Sequence, residues 1–130
     1  MKRSQLSWGV RPPRLTRMSS PLSERVLQSR QQIVEVAQAM LDGKLGILEG
    51  CQRLVGYRWD VDPEQEDREL LGILGIQSQT DHLPVGRARE HWSPEALRAK
   101  DTEIAENETF FRESALQCCL VLVERYSRPA

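Results

Sequence analysis

Two histidines and two carboxylates between Asp81 and His91 are the side chains of this sequence best suited to chemistry. Asp81 directly precedes His82, and Glu90 directly precedes His91. Imidazole and carboxylate groups together bind transition metals or transfer protons near neutral pH. A helical metal site separates its ligands by three or four residues, whereas each histidine here directly follows its acid. The spacing therefore favours a structural role, in which Asp81 caps or turns a loop and His82 packs against the protein.

No other pattern in the sequence indicates an active site or a cofactor. The serines lack the Gly-x-Ser-x-Gly elbow of hydrolases, and there is no glycine-rich phosphate loop. The acidic run from Asp60 to Glu69 resembles a calcium loop, but Gln65 replaces the glycine of its tight turn and Leu71 its bidentate glutamate. We therefore predict a protein that is not an enzyme and has no catalytic residue, cofactor or bound metal. A small metal-dependent enzyme that uses the two acid–histidine pairs is the alternative.

Cysteine usage and hydropathy predict a cytoplasmic protein. Cys51, Cys118 and Cys119 are an odd set with two adjacent members, which is a poor basis for disulfides, so we expect buried, reduced thiols. No apolar run approaches the ~20 residues that cross a bilayer. Residues 1–20 also lack the apolar core of a secretory signal, and we expect no association with a membrane.

The formal net charge of −1 hides two segments of opposite charge. Residues 1–20 contain no acidic residue and five basic ones, which are Lys2, Arg3, Arg11, Arg14 and Arg17. The remaining 13 of the 18 basic residues face all 19 acidic residues, which gives residues 21–130 a net charge of −6. Five dispersed basic charges make a poor nucleic-acid tail, so we predict no nucleic-acid partner. The acidic remainder should instead attract a basic protein.

Acidic residues gather on two predicted helices and form a candidate docking surface for a protein partner. One group runs from the end of the second predicted helix into the first turns of the third, and the other lies on the last helix. The loop between them adds Trp92 as a source of buried contacts, although a tryptophan at a helix boundary more often packs in the core, as we expect for Trp59. The residues predicted to bind the partner are Asp60, Asp62, Glu64, Glu66, Asp67, Glu69, Asp81, His82, Trp92, Asp101, Glu103, Glu106 and Glu108.

The spacing of apolar residues predicts one helical domain at residues 20–130, after a disordered basic arm at residues 1–19. Ser20 and Pro21 should begin the first helix as its cap and first helical position, and Gly43 should end it. The second helix is expected from about Leu45 to Arg58.

Asp62, followed by a proline, predicts the start of a third helix. This helix should run to about Leu74 and end at Gly75, before a loop at residues 76–85 and a short helical turn at residues 87–91.

Ser93, also followed by a proline, predicts the start of the last helix. Apolar residues continue at helical spacing to Tyr126, and so long a helix is expected to break or kink near Asn107. The predicted fold class is therefore all-α, a compact bundle of about four helices with a long C-terminal helix.

Three segments carry a resemblance to known proteins: ILEGCQRL at residues 47–54, DHLPVG at 81–86 and EHWSPEAL at 90–97. Together they resemble a group of short, uncharacterised bacterial helical proteins. In size and acidic charge the chain is also similar to bacterial immunity proteins, which neutralise a toxin made by the same or a neighbouring cell. The resemblance implies a cytosolic binding protein, most concretely an immunity or inhibitor protein for a basic toxin domain.

Gly46 and Gly50 support a further alternative. They lie one turn apart in the second predicted helix, where each glycine costs about 1 kcal/mol relative to alanine. Close approach of a neighbouring helix would offset that cost. A structural subunit that forms a homodimer through this face is therefore the third interpretation.

Overall fold

The computed structural model describes residues 21–129 of the chain. Four α-helices and one 3₁₀ helix follow each other in this range, without a strand: α1 (Pro21–Leu41), α2 (Ile47–Val61), α3 (Arg68–Thr80), the 3₁₀ helix (Gly86–His91) and α4 (Pro94–Ser127). The all-α prediction is confirmed, and so is the long C-terminal helix. The predicted cap at Ser20 and the arm at residues 1–19 lie outside the described residues.

The helices form because each carries an apolar stripe that the others cover. On α4, Phe111, Ala115, Cys119, Leu122 and Tyr126 recur every three or four residues, and all five are buried. The core is completed by the inward faces of α1, α2 and α3. No helix in the described range is long and apolar enough to cross a membrane.

Helices α1 and α4 run antiparallel. The Met40 sulfur near the end of α1 lies 3.6 Å from Sγ of Cys119. The Arg30 Nη2 atom donates a hydrogen bond of 2.7 Å to the carbonyl of Arg128, just beyond the end of α4. Gly43 ends α1 as predicted, since its φ of 74° is left-handed and its amide donates to the carbonyl of Met40.

The predicted start of the third helix at Asp62 is wrong. Asp62 instead follows α2, and its carboxylate accepts hydrogen bonds from the backbone amides of Glu66 and Asp67 at 3.0 and 2.9 Å. Gln65 in this turn has a φ of 58°, which a helix excludes. The true cap is Asp67, whose carboxylate accepts from the amide of Leu70 at 3.0 Å.

The predicted end of that helix at Gly75 is also wrong, because α3 continues to Thr80. Ile73, Ile76 and Thr80 stay on its buried side, and the Thr80 hydroxyl donates to the carbonyl of Ile76 at 2.9 Å. Burial of this second half offsets the helix-weakening effect of Gly75. The loop before the 3₁₀ helix is therefore shorter than predicted and spans residues 81–85.

The remaining helix boundaries differ in smaller ways. Helix α2 starts at Ile47 and continues past Arg58 to Val61. Helix α4 has no break at Asn107, whose side-chain amide donates to the carbonyl of Glu103 at 2.8 Å within the regular helix. Its 34 residues correspond to a length of about 50 Å.

The two glycines of α2 have different neighbours. Gly50 is buried, and a Cβ atom at this position would collide with the side chain of Met40. Gly46 is the exposed N-cap of α2 and lies next to the carboxylate of Glu108. The close approach that the sequence predicts at Gly50 thus occurs between α1 and α2 of the same chain.

Candidate protein-binding site

Trp59, on the last turn of α2, is the largest exposed aromatic side chain among the described residues. Its exposed fraction is 57%, so the prediction that it packs in the core is wrong. The inward position of this turn belongs to Arg58, which continues the apolar spacing of Cys51 and Leu54 and is only 6% exposed. The sequence signal that could have revealed this arrangement is an arginine at a core position of the helix.

Arg58 is held between the tryptophan and the following turn. Its guanidinium carbon lies 4.0 Å from the centre of the Trp59 ring, a cation–π distance. Its Nη2 atom donates a 3.1 Å hydrogen bond to Oε1 of Gln65. The Nε atom is buried without a hydrogen-bond partner, and no carboxylate of the described part of the chain forms an ion pair with Arg58.

The turn that Arg58 binds through Gln65 also carries two acidic side chains. Glu64 and Glu66 flank Gln65 in the turn, and both are exposed. No basic residue between positions 21 and 129 forms an ion pair with either of them. We call this region the Trp59 corner and define it as Arg58, Trp59, Asp62, Glu64, Gln65 and Glu66.

Asp67 and Glu69, which were predicted to bind a partner, hold the fold together. Arg125 contacts both, with Nη1 2.6 Å from Oδ1 of Asp67 and Nη2 2.8 Å from Oε1 of Glu69. The Tyr126 hydroxyl donates to Oδ2 of Asp67 at 2.5 Å. Burial alone would raise the pKa of Asp67, but the hydrogen bonds from Arg125, Tyr126 and the Leu70 amide outweigh it, so this pKa lies below its ordinary value.

Glu108 and Asp60 also have partners inside the chain. The two Glu108 oxygens accept hydrogen bonds from the amides of Ile47 and Leu48 at 2.9 and 2.8 Å, so a side chain of α4 caps α2. Asp60 accepts a 2.6 Å hydrogen bond from the hydroxyl of Ser29 on α1. These contacts give Glu108 and Asp60 a structural role that does not require a binding partner.

The acids at the start of α4 form ion pairs and hydrogen bonds within the helix and with the preceding segment. Asp101 lies 3.0 Å from Nη1 of Arg89, and Glu103 lies 3.6 Å from Nζ of Lys100. Glu103 also accepts from Nε2 of His82 at 2.8 Å, and this hydrogen bond lowers the pKa of the glutamate.

Four of the predicted docking residues are exposed and form neither an ion pair nor a side-chain hydrogen bond in the described part of the chain. They are Glu64, Glu66, Asp81 and Glu106.

The two acid–histidine pairs do not come together as a metal site. Across residues 21–129, no three His, Cys, Asp or Glu side chains are placed to hold a metal ion. Asp81 ends α3, in agreement with its predicted role, and His91 ends the 3₁₀ helix. The prediction that His82 packs is wrong, because its ring is exposed and bound to Glu103.

The other predicted anchor, Trp92, directly follows the 3₁₀ helix, and its side chain is half-buried. Its backbone amide donates to the carbonyl of Arg89 at 3.1 Å. The site therefore has its exposed tryptophan on α2 rather than at the segment between α3 and α4.

A second exposed aromatic side chain lies on the outward face of α4. Phe110 is 77% exposed and stands edge-on to Phe111 at 4.8 Å. Glu106 and Glu113 lie one turn away on either side, and neither forms an ion pair within the described residues. This face has similar chemistry to the Trp59 corner without the buried arginine, and it serves as a matched control for experiments.

No protein-family model matches this chain, and neither a curated protein nor a solved structure is similar to it in the comparisons made. The functional interpretation therefore depends on the geometry of the chain itself.

Proposed function

We propose that this chain is a cytoplasmic binding protein of the immunity or inhibitor type, which neutralises a basic toxin domain by docking it on the Trp59 corner. The observation that supports this proposal is an exposed tryptophan stacked on a buried arginine, whose guanidinium also binds the turn that carries two glutamates without ion pairs.

The tryptophan has the properties of an interface anchor. Burial of its large ring in a partner removes apolar surface from water, and tryptophan and arginine are enriched among residues that dominate binding energy. The stack on Arg58 restricts the ring before the partner arrives. Binding then orders less of the side chain, which favours affinity.

The glutamates select the sign of the partner's charge. Glu64 and Glu66 present two exposed negative charges on the turn that Arg58 binds, on a body whose residues 21–130 carry a net charge of −6. Such a field speeds encounter with a basic surface and disfavours acidic ones. A basic toxin domain that offers an apolar pocket for Trp59 and cations for the glutamates fits this chemistry.

The proposal is tested by capturing proteins that bind the chain and measuring whether each one arrests cell growth. The tagged chain is used as bait in the cells from which the sequence comes, and each captured protein is then produced alone and together with the chain. We expect one captured protein to be basic, to arrest growth alone, and to be tolerated when the wild-type chain is present.

The variants decide whether the Trp59 corner is responsible. Trp59→Ala should abolish this protection, whereas the control Phe110→Ala should retain it, with both variants folded by circular dichroism. Protection that survives Trp59→Ala, or the absence of any growth-arresting partner, would contradict the proposal.

A further inference from the structure

A groove between α1 and the end of α4 lies outside the site described above. The residues that form its walls are Leu27, Arg30 and Val34 on α1, and Tyr126, Arg128 and Pro129 at the end of α4 and just beyond it. The three α1 residues follow each other at intervals of three and four, so they share one face of the helix. None of the residues that line the groove belongs to the Trp59 corner.

The charge of this groove is opposite to that of the protein body. Its charged lining residues are Arg30 and Arg128, and no acidic residue of the described part lines it. Residues 21–130 as a whole carry a net charge of −6. Arg128 forms an ion pair with Glu124 at 3.2 Å, but both side chains are largely exposed, so this pair is weak. The groove is therefore a local site of positive charge.

Arg30 is the cation whose position is fixed. Its Nη2 atom donates to the carbonyl of Arg128 at 2.7 Å, and its guanidinium carbon lies 5.0 Å from the centre of the Tyr126 ring. That ring is buried and is held by the hydrogen bond from its hydroxyl to Asp67. No carboxylate in the described part of the chain forms an ion pair with Arg30. Because a guanidinium has five N–H donors in one plane, it retains donors that suit a carboxylate.

The remaining walls of the groove supply apolar surface. Leu27 is 56% exposed, Val34 is partly buried against the core, and Pro129 is exposed. An apolar chain laid on these residues would remove apolar surface of both molecules from water. A carboxylate joined to such a chain would bind the arginine and cover Leu27 at the same time.

The size of the groove limits the length of that chain. Its volume is about 360 Å³, whereas small-molecule sites span roughly 300–1,000 Å³. A groove near the lower end of that range suits a chain of medium length better than a long one.

We propose that this groove binds a small carboxylate with an apolar chain, of the class of medium-chain fatty acids. The carboxylate pairs with Arg30, Arg128 adds a second positive charge, and the chain lies on Leu27 and Val34. This binding does not rest on the proposed function, because it uses a different part of the surface.

Other clefts that contain arginines are poorer sites for a carboxylate. The cleft beside the 3₁₀ helix contains Arg53 but also Glu49, which pairs with it at 2.6 Å. The cleft around Arg125 contains Asp67 and Glu69, and both form ion pairs with that arginine. A carboxylate ligand would have to displace these side chains, whereas no described acid competes for Arg30.

Titration of the full-length chain with octanoate at constant ionic strength tests the proposal. NMR spectra of the arginine Nε–H groups and of the methyl groups should show saturable shifts centred on Arg30, Leu27 and Val34. Two control ligands separate the contributions of charge and chain. Both 1-octanol, which has a chain of the same length without the charge, and acetate, which has the charge without the chain, should bind at least about tenfold more weakly.

Two pairs of variants assign the binding to the groove. Arg30→Gln should weaken octanoate binding by about tenfold or more, whereas Arg53→Gln, at an exposed arginine of α2, should leave the dissociation constant unchanged. Leu27→Gln should weaken binding by about threefold or more. The control Leu120→Gln, at a leucine of α4 that is 61% exposed, should have no effect. Circular dichroism shows which variants are folded.

The result for the unaltered chain decides the role of the charge even if Arg30→Gln does not fold. Absence of saturation with octanoate, shifts centred on another part of the chain, or equal binding of 1-octanol would overturn the proposal. A dissociation constant that a folded Arg30→Gln leaves unchanged would do so as well. None of these outcomes bears on the Trp59 corner, which the growth experiment tests separately.

Discussion

The guanidinium of Arg58 stacks on the ring of Trp59 at 4.0 Å, and this contact joins the buried core to the exposed corner of the protein. Arg58 takes a core position on α2, and Trp59, one residue later, points outward. A buried cation with an unpartnered Nε atom and no carboxylate partner among the described residues is costly for the fold. We interpret that cost as the consequence of holding the Trp59 ring and the turn at Gln65 in place.

Replacement of Arg58 by Met tests this interpretation. Methionine keeps the unbranched stem and removes the unpaired charge, so the free energy of unfolding should change by less than about 1 kcal/mol or rise. As a control, Leu54→Ala should cost about 2–5 kcal/mol, because Leu54 is fully buried. Urea denaturation measures both. A loss above about 3 kcal/mol in Arg58→Met would show that the guanidinium has a strong partner and would contradict the interpretation.

The hydrogen bonds to Asp67 should make the fold sensitive to acid. Its pKa in the folded state is lowered, since hydrogen bonds from Arg125, Tyr126 and Leu70 outweigh its burial. A carboxylate of this kind stabilises the protein above the unfolded-state pKa of about 3.9, and the contribution disappears as the pH falls through the folded-state pKa.

Urea titrations between about pH 5 and pH 2 should therefore show a steeper loss of stability in the wild type than in Asp67→Asn. Asparagine can still accept from Tyr126 and Leu70 but does not titrate. Parallel pH profiles of the two proteins would show that another carboxylate controls the acid response.

Glu108 should contribute to stability as a cap supplied from another helix. Its carboxylate accepts from the amides of Ile47 and Leu48, so Glu108→Ala leaves both donors unpaired and should cost about 1–2 kcal/mol. Glu106→Ala, two residues earlier on the exposed side of α4, should change stability by no more than about 0.5 kcal/mol. Thermal and urea denaturation of the two variants check this difference, and equal effects would argue against the cap.

The glycines of α2 allow a paired test of packing. A methyl group at Gly50 would collide with Met40, so Gly50→Ala should destabilise the protein by about 1–3 kcal/mol. Gly56→Ala has open space around it and should stabilise the helix by up to about 1 kcal/mol. Melting temperatures that move in the same direction for both variants would contradict the packing of α1 on α2.

Local signals in the sequence predicted much of the fold. Ser93 with Pro94 begins α4, Gly43 ends α1 in the left-handed conformation, and the apolar spacing on α4 matches its buried face. These features succeed because they depend on a few neighbouring residues. The error at Asp62 arose because two aspartates compete as caps, and only the placement of Leu70 in the core selects Asp67.

The candidate site was harder to predict because it depends on contacts between elements. The acidic residues of the sequence look equivalent, yet Arg125 neutralises Asp67 and Glu69 from the far end of the chain, and backbone amides of α2 engage Glu108. The exposure of Trp59 follows from the inward position of Arg58, which the sequence indicates only if the apolar spacing of Cys51 and Leu54 is continued to a charged residue. Residue polarity alone assigns a charged residue to the surface and a tryptophan to the core.

The most direct test of the Trp59 corner is the association rate constant of the captured partner with two double variants of equal charge. Glu64→Lys with Glu66→Lys reverses the acids at the corner, and Glu106→Lys with Glu113→Lys reverses those beside Phe110 on α4. Glu69 is left unchanged because it pairs with Arg125. We predict that the first pair slows association at low salt by about tenfold or more, that the second pair slows it much less, and that added salt removes the difference. Equal slowing by both pairs, or association that is indifferent to the corner reversals, would contradict the account.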